Sequence, residues 1–183
     1  MPTALLLVDV QSDFLNRPGL EPDAPTLVAR LAEFLGQARS RGWLIAHGRT
    51  QVRADGADAM PHWRKAGPLP CVAGTPGAAA PDALASQPGE LIAIKRFFSA
   101  FEDPALLAGL RAAAVDRLVI CGLYTHACVR QAALDAYAAG LEVFIASDAV
   151  SAYDPEHARL SLEWLDGRAA TCAPAADLLE RLA

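Results

Sequence analysis

The chain has 183 residues, 53% of them hydrophobic and 20% charged, which suits one domain with a sizeable core and excludes a disordered or membrane-spanning composition. Its formal net charge of -5 leaves no global positive field to gather the phosphates of nucleic acid or of an anionic membrane, so neither is expected as a partner. The cysteines, Cys71, Cys121, Cys128 and Cys172, form no C-x-x-C pair and no Cys/His cluster of zinc spacing, so a disulfide framework and a structural zinc are both disfavoured.

Short apolar runs alternate with segments of helical period, the pattern of an α/β protein with a parallel sheet. Met1-Pro2-Thr3 leads into Ala4 to Val8, a run too short for a signal h-region and closed by Asp9; it reads as a buried strand of a cytoplasmic protein. Pro25 to Arg41 places Leu27, Leu31, Phe34 and Leu35 on one face, and Gly42 ends that predicted helix. Further strands are predicted at Trp43 to Ala46, Leu91 to Ile94, Leu118 to Cys121 and Leu141 to Ala146, with a weaker sixth at Ala169 to Cys172. Helices are predicted at Pro104 to Ala114, His126 to Ala139, Pro155 to Leu165 and Pro174 to Leu182, the third with Asp154 as its N-cap. The span from Gly48 to Gly89 is rich in proline and glycine and reads as one long irregular connection. Nothing in the composition divides the chain, so residues 1–183 are read as a single domain.

Ligands of parallel α/β sheets bind beyond the carboxyl ends of the strands, which draws attention to polar residues there. Asp9 closes the first run, Lys95 closes the third, and Cys128 lies in the first turn of the helix after the fourth. Taken singly, Asp9 also suits a turn, Lys95 a solvated strand end, and Cys128 an inert core position. Together they supply a nucleophile, a proton acceptor and donor, and a cation that lowers pKa values, with a helix N-terminus expected to favour the thiolate.

Five segments carry a resemblance to the isochorismatase-like hydrolases, also called cysteine hydrolases. They are Leu6-Leu7-Val8-Asp9-Val10-Gln11-Ser12-Asp13-Phe14, Gly74-Thr75-Pro76-Gly77, Ile94 to Phe101, Cys128 to Ala136 and Ser147-Asp148-Ala149-Val150. The resemblance implies a three-layer α/β/α fold with a mainly parallel, Rossmann-like six-stranded sheet ordered 3-2-1-4-5-6. It implies Asp9, Lys95 and Cys128 as the catalytic set, a cis peptide between Leu123 and Tyr124, and an oxyanion hole from the N–H groups of Tyr124 and Cys128. Cleavage of a C–N bond through a thioester on Cys128 follows as the expected reaction, with no cofactor. Relatives of this fold are commonly oligomeric, so a homo-oligomer, dimer or tetramer, is expected.

The chain also departs from its relatives. It lacks the Asp-x-His pair with which nicotinamidases resemble one another in metal binding, so no metal is expected, although His47 and His62 remain conceivable ligands. Gly122-Leu123-Tyr124-Thr125-His126 echoes the isochorismatases proper, which leaves a vinyl-ether hydrolase acting through Asp9 as the alternative, beside an idle binding module of the same fold. Gln11, Phe14, Trp63, Phe98 and His126 are the expected contacts to a small-molecule substrate, with Arg49, Arg53 and His62 as polar candidates on the long connection and Tyr153 and His157 on the same sheet edge.

Overall fold

The computed structural model describes residues 1–183. Six strands form one sheet in the order β3-β2-β1-β4-β5-β6, and every neighbouring pair is parallel. The strands are β1 Thr3–Val8, β2 Leu44–Thr50, β3 Leu91–Lys95, β4 Arg117–Leu123, β5 Glu142–Ser151 and β6 Thr171–Ala173. The helices are α1 Ser12–Leu15, α2 Ala24–Ser40, α3 Pro104–Ala112, α4 Arg130–Ala138, α5 Pro155–Leu165 and α6 Ala175–Arg181. None of them is long and apolar enough to cross a membrane.

Alternation along the strands divides the core into two, because successive side chains leave a strand on opposite faces. Leu5 and Leu7 of β1, Val119 and Cys121 of β4 and Phe144 of β5 join the cluster under α2 and α6, which includes Leu27, Leu31, Leu35 and Leu178. Leu6, Val8, Leu118, Ile120 and Ile145 join the opposite cluster, with Leu106 and Leu110 of α3 and Ala132 and Ala136 of α4. Both faces of the central strands are therefore covered, which explains why their sequences read as unbroken apolar runs. The helix starts follow local chemistry: Asp23 accepts the Thr26 N–H at the head of α2, and Asp154 accepts the His157 N–H at the head of α5.

Three elements differ from the sequence reading. The second strand continues past Ala46 to Thr50, because His47, Gly48, Arg49 and Thr50 interrupt the apolar run while still pairing with Ile92 to Lys95 of β3. The fifth continues through polar Ser147 and Asp148 to Ser151, with a shift of register between Ile120 and Gly122 on its neighbour. The predicted helix from His126 begins as a π turn at Thr125–Val129 and becomes α-helical only at Arg130. Irregular turns of this kind recur where a helix must present a functional side chain.

The connection after Thr50 holds three single 3₁₀ turns, Trp63–Lys65, Pro76–Ala78 and Asp82–Leu84, and is tied down by a bridge between Val52 and Val72. Gly122 governs how closely β4 approaches β1. Its φ is 110°, and a Cβ there would lie 2.2 Å from the Val8 carbonyl oxygen, so only glycine permits this approach beside Asp9.

Candidate active site

Strand order brings the first and fourth strand ends side by side: Val8 pairs with Gly122, and the chain then leaves each strand toward the same edge. Asp9 follows with φ at 52°, a left-handed conformation that turns its carboxylate back over the sheet, where it is 1% exposed. On the other side of β1, the β2–β3 register sets Thr50 opposite Lys95. The Lys95 side chain, 0% exposed, runs inward from β3 and ends among four acceptors.

The Lys95 Nζ lies 2.7 Å from Asp9 Oδ2 and donates to Thr50 Oγ1 at 3.0 Å, to the Phe97 carbonyl at 2.9 Å and to Cys128 Sγ at 3.5 Å. Asp9 Oδ1 accepts from the Thr50 hydroxyl at 2.8 Å and from the Thr50 N–H at 3.1 Å. Asp9, Lys95 and Cys128 are thus gathered at one point from three separate strand ends. Burial opposes a charge on Lys95, but Asp9 and Cys128 outweigh it and hold the ammonium above its ordinary pKa.

The thiol behaves otherwise than expected. Burial, reinforced by the neighbouring Asp9 carboxylate, pushes Cys128 up to about 12 despite the opposing Lys95. The one nearby cation does not compensate for desolvation, so the thiol's pKa is raised where the sequence suggested lowering. Cys121 and Cys71 are buried and raised further, whereas Cys172, on the edge strand β6, is raised to about 11. Of these four, only Cys128 lines the main cavity.

That cavity, of about 490 Å³, has Asp9 and Cys128 in its floor. Phe14, Trp63 and Phe98 stand in its walls, with His62, Tyr124 and Tyr153. Phe14 packs against both Trp63, at 6.3 Å between ring centroids, and Tyr124, at 5.7 Å. The Leu123–Tyr124 peptide is cis. The Tyr124 hydroxyl donates to the Phe14 carbonyl at 3.0 Å, which fastens that turn to α1.

Several expected contacts lie elsewhere. Gln11 is 0% exposed and does not reach the cavity; its amide donates to the Thr50 and Ala78 carbonyls at 2.8 and 2.9 Å and accepts the Thr50 N–H at 2.8 Å. It braces Thr50 instead of touching a ligand. His126 stacks behind Tyr124, with the two rings inclined by 11°, and opens onto a neighbouring groove with His157 and Trp164. Arg53 is engaged with Asp55 at 2.6 Å, and Arg49 is half-buried within β2; neither lines the cavity. Asp148 accepts the Ala175 N–H at 2.8 Å at the head of α6, away from the site.

Sequence reasoning missed Thr50, Asp13 and Arg17. Thr50 lay hidden because the second strand was ended four residues early. Asp13 and Arg17 both line the cavity from α1 and the turn after it, and their spacing of one helical turn was the available signal. Asp13 accepts the Cys71 N–H at 2.7 Å, and a Cβ on Gly77 would fall 2.2 Å from its carboxylate, which accounts for glycine at the end of Gly74-Thr75-Pro76-Gly77.

The donor set does not fit a resident metal. No group of three or more His, Cys, Asp or Glu side chains converges as a coordination shell would require. His47 is instead buried against Glu90 at 2.8 Å, and His62 packs on Trp63.

The isochorismatase domain family model matches residues 3–177. A solved isochorismatase family protein from Desulfovibrio vulgaris is 35% identical with a TM-score of 0.89, over 98% of this chain and 97% of that one. Maleamate amidohydrolase from Pseudomonas putida is 34% identical over 170 residues, which cover 86% of this chain and 76% of that protein. Phenazine biosynthesis protein PhzD from Pseudomonas fluorescens is 37% identical over 89 residues, 49% of this chain and 43% of its own length, so the match spans less than half of that relative. With a sheet of the expected order, Asp9, Lys95 and Cys128 at its switch point, and a family match along nearly its whole length, the chain belongs to the isochorismatase family of hydrolases.

Proposed function

We propose that this protein hydrolyses a C–N bond of a small molecule, an amide or a ureido group, through a thioester on Cys128. The observation that carries the reading is the position of Lys95 Nζ, 2.7 Å from Asp9 Oδ2 and 3.5 Å from Cys128 Sγ, beneath a cavity that both Asp9 and Cys128 line. A vinyl-ether hydrolase working by protonation alone has no use for a sulfur at that point. The amidohydrolase named among its relatives accords with the same chemistry.

In this scheme Asp9 takes the thiol proton as the sulfur attacks the substrate carbonyl, so no free thiolate accumulates beforehand. The C–S bond forms, and the carbonyl electron pair moves onto oxygen, held by the N–H groups of Tyr124 and Cys128. Collapse of that intermediate breaks the C–N bond while protonated Asp9 delivers its proton to the departing nitrogen. Ammonia or an amine leaves, and a water activated by the regenerated Asp9 carboxylate cleaves the thioester to the acid and the free thiol. Lys95 stays protonated throughout and offsets the negative charge that shifts among Asp9, sulfur and oxyanion.

A panel of primary amides and ureido acids, screened for released ammonia, tests the reading. Cys128→Ala and Asp9→Asn are each expected to lower kcat at least about 1,000-fold, in the range found when a covalent nucleophile or its base is removed. Mass spectrometry of acid-quenched wild-type enzyme is expected to show an acyl adduct on the peptide containing Cys128. Near wild-type turnover by Cys128→Ala would refute covalent catalysis.

A further inference from the structure

Arg17 has no role in the scheme above, yet it is the one lysine or arginine side chain that lines the cavity. The chain reaches it through Asp9-Val10-Gln11 and the short helix α1, so its backbone is anchored to the strand that carries Asp9. Its guanidinium carbon sits 3.7 Å from the centroid of the Tyr153 ring. Tyr153 in turn meets Tyr124 edge-on, with centroids 4.9 Å apart and planes at 86°, and Tyr124 is fixed by its hydrogen bond to the Phe14 carbonyl. The cation therefore rests on an aromatic platform tied to the same turn that leads to Cys128.

Arg17 forms no ion pair with any carboxylate of the chain. Of the acids in the cavity, Asp9 is matched by Lys95, and Asp13, one turn before Arg17, accepts the Cys71 N–H. A guanidinium set over a ring, with no carboxylate partner in the chain, keeps N–H groups free, and these match the two oxygens of a carboxylate. Phe14, Trp63, Phe98 and His62 line the cavity as well, and no second lysine or arginine does.

We infer that Arg17 is the specificity-determining residue that receives a substrate carboxylate, so that the cavity takes small amides bearing one free acid group. The scissile carbonyl then lies over Cys128 with its nitrogen toward Asp9, while the carboxylate lies at the Tyr153 end. The inference rests on the amide-hydrolase reading and adds the substrate class to it.

The test compares the half-amides of four- to six-carbon dicarboxylic acids with the matching diamides, which have the same reacting group but no charge. Wild-type enzyme is expected to favour the half-amides in kcat/KM by on the order of 10- to 100-fold, the value of a charge-assisted contact. Arg17→Met is expected to bring that ratio close to one, mainly through KM for the half-amides, and Arg17→Lys to restore part of it. Equal turnover of both series by the wild type, or an undiminished ratio in Arg17→Met, overturns the inference and leaves the amide-hydrolase reading standing. No ammonia from either series, with release from another member of the amide and ureido panel, also overturns the inference and leaves the amide-hydrolase reading standing.

Discussion

Thr50→Val is the substitution that interrogates the site most cleanly. Thr50 is 0% exposed, and valine matches its branched shape while deleting one hydroxyl. That hydroxyl donates to Asp9 Oδ1 at 2.8 Å and accepts from Lys95 Nζ at 3.0 Å, so a single atom orients both charged groups. Asp9 keeps the Thr50 N–H and Lys95, and Lys95 keeps Asp9 and the Phe97 carbonyl, so neither becomes an isolated buried charge. Losing two charge-assisted hydrogen bonds that share one atom is expected to cost about 2 to 3 kcal/mol, or roughly 30- to 150-fold in kcat. KM should hardly change, because Thr50 does not line the cavity. Steady-state ammonia release measures the loss, and thermal unfolding checks that the variant is folded. Thr50→Ser, which keeps the oxygen, should recover activity to within about threefold of wild type, since the hydroxyl contacts are restored. A folded Thr50→Val enzyme with unaltered kcat would refute the claim that this hydroxyl positions the pair.

Alkylation of Cys128 by iodoacetamide in the free enzyme should climb steadily to pH 10 and beyond, because its thiol is pushed up to about 12; a plateau below the ordinary thiol range would show a pre-formed thiolate. Gly122→Ala should destabilise the fold by about 3 kcal/mol or more, since its Cβ would strike the Val8 carbonyl in a conformation unfavourable to alanine, and an unchanged denaturation midpoint would contradict this. Glu90 is bound by Arg39 at 2.7 Å and by His47 at 2.8 Å; burial would raise its pKa, but these partners and the Gln87 N–H lower it from 4.5 to about 2. A carboxyl lowered on folding stabilises the protein fully above its unfolded pKa and loses that contribution as pH falls toward its folded pKa, here between 4.5 and about 2. The contribution at neutral pH is on the order of 3 kcal/mol, so melting temperature should drop across that window in the wild type and drop less in Glu90→Gln; parallel curves would disprove the linkage.

The sequence carried the fold with unusual completeness because most of its strands are buried on both faces, which makes them short unbroken apolar runs. Where polar residues belong to a strand, as at His47 to Thr50 and Ser147 to Ser151, the pattern ends before the hydrogen-bonded ladder does. That boundary error concealed Thr50 and, with it, the reason Gln11 is buried: Gln11 serves the strand end rather than a substrate. Asp9, Lys95 and Cys128 were legible as candidates because three reactive side chain types stood beside strand ends, and the family resemblance assigned them one site.

What the sequence determined by itself, then, was the parallel α/β architecture, through apolar periodicity, and the chemical types available at one edge of the sheet. Tertiary structure alone decided which of them meet, because strand order sets Val8 beside Gly122 and Thr50 beside Lys95 across long stretches of chain. It also decided the direction in which the Cys128 pKa moves, since burial is a property of the packed fold and here outweighs the nearby ammonium. Arg17 likewise gained its aromatic neighbour only when the fold laid it on Tyr153, a residue far away in sequence that also lines the cavity.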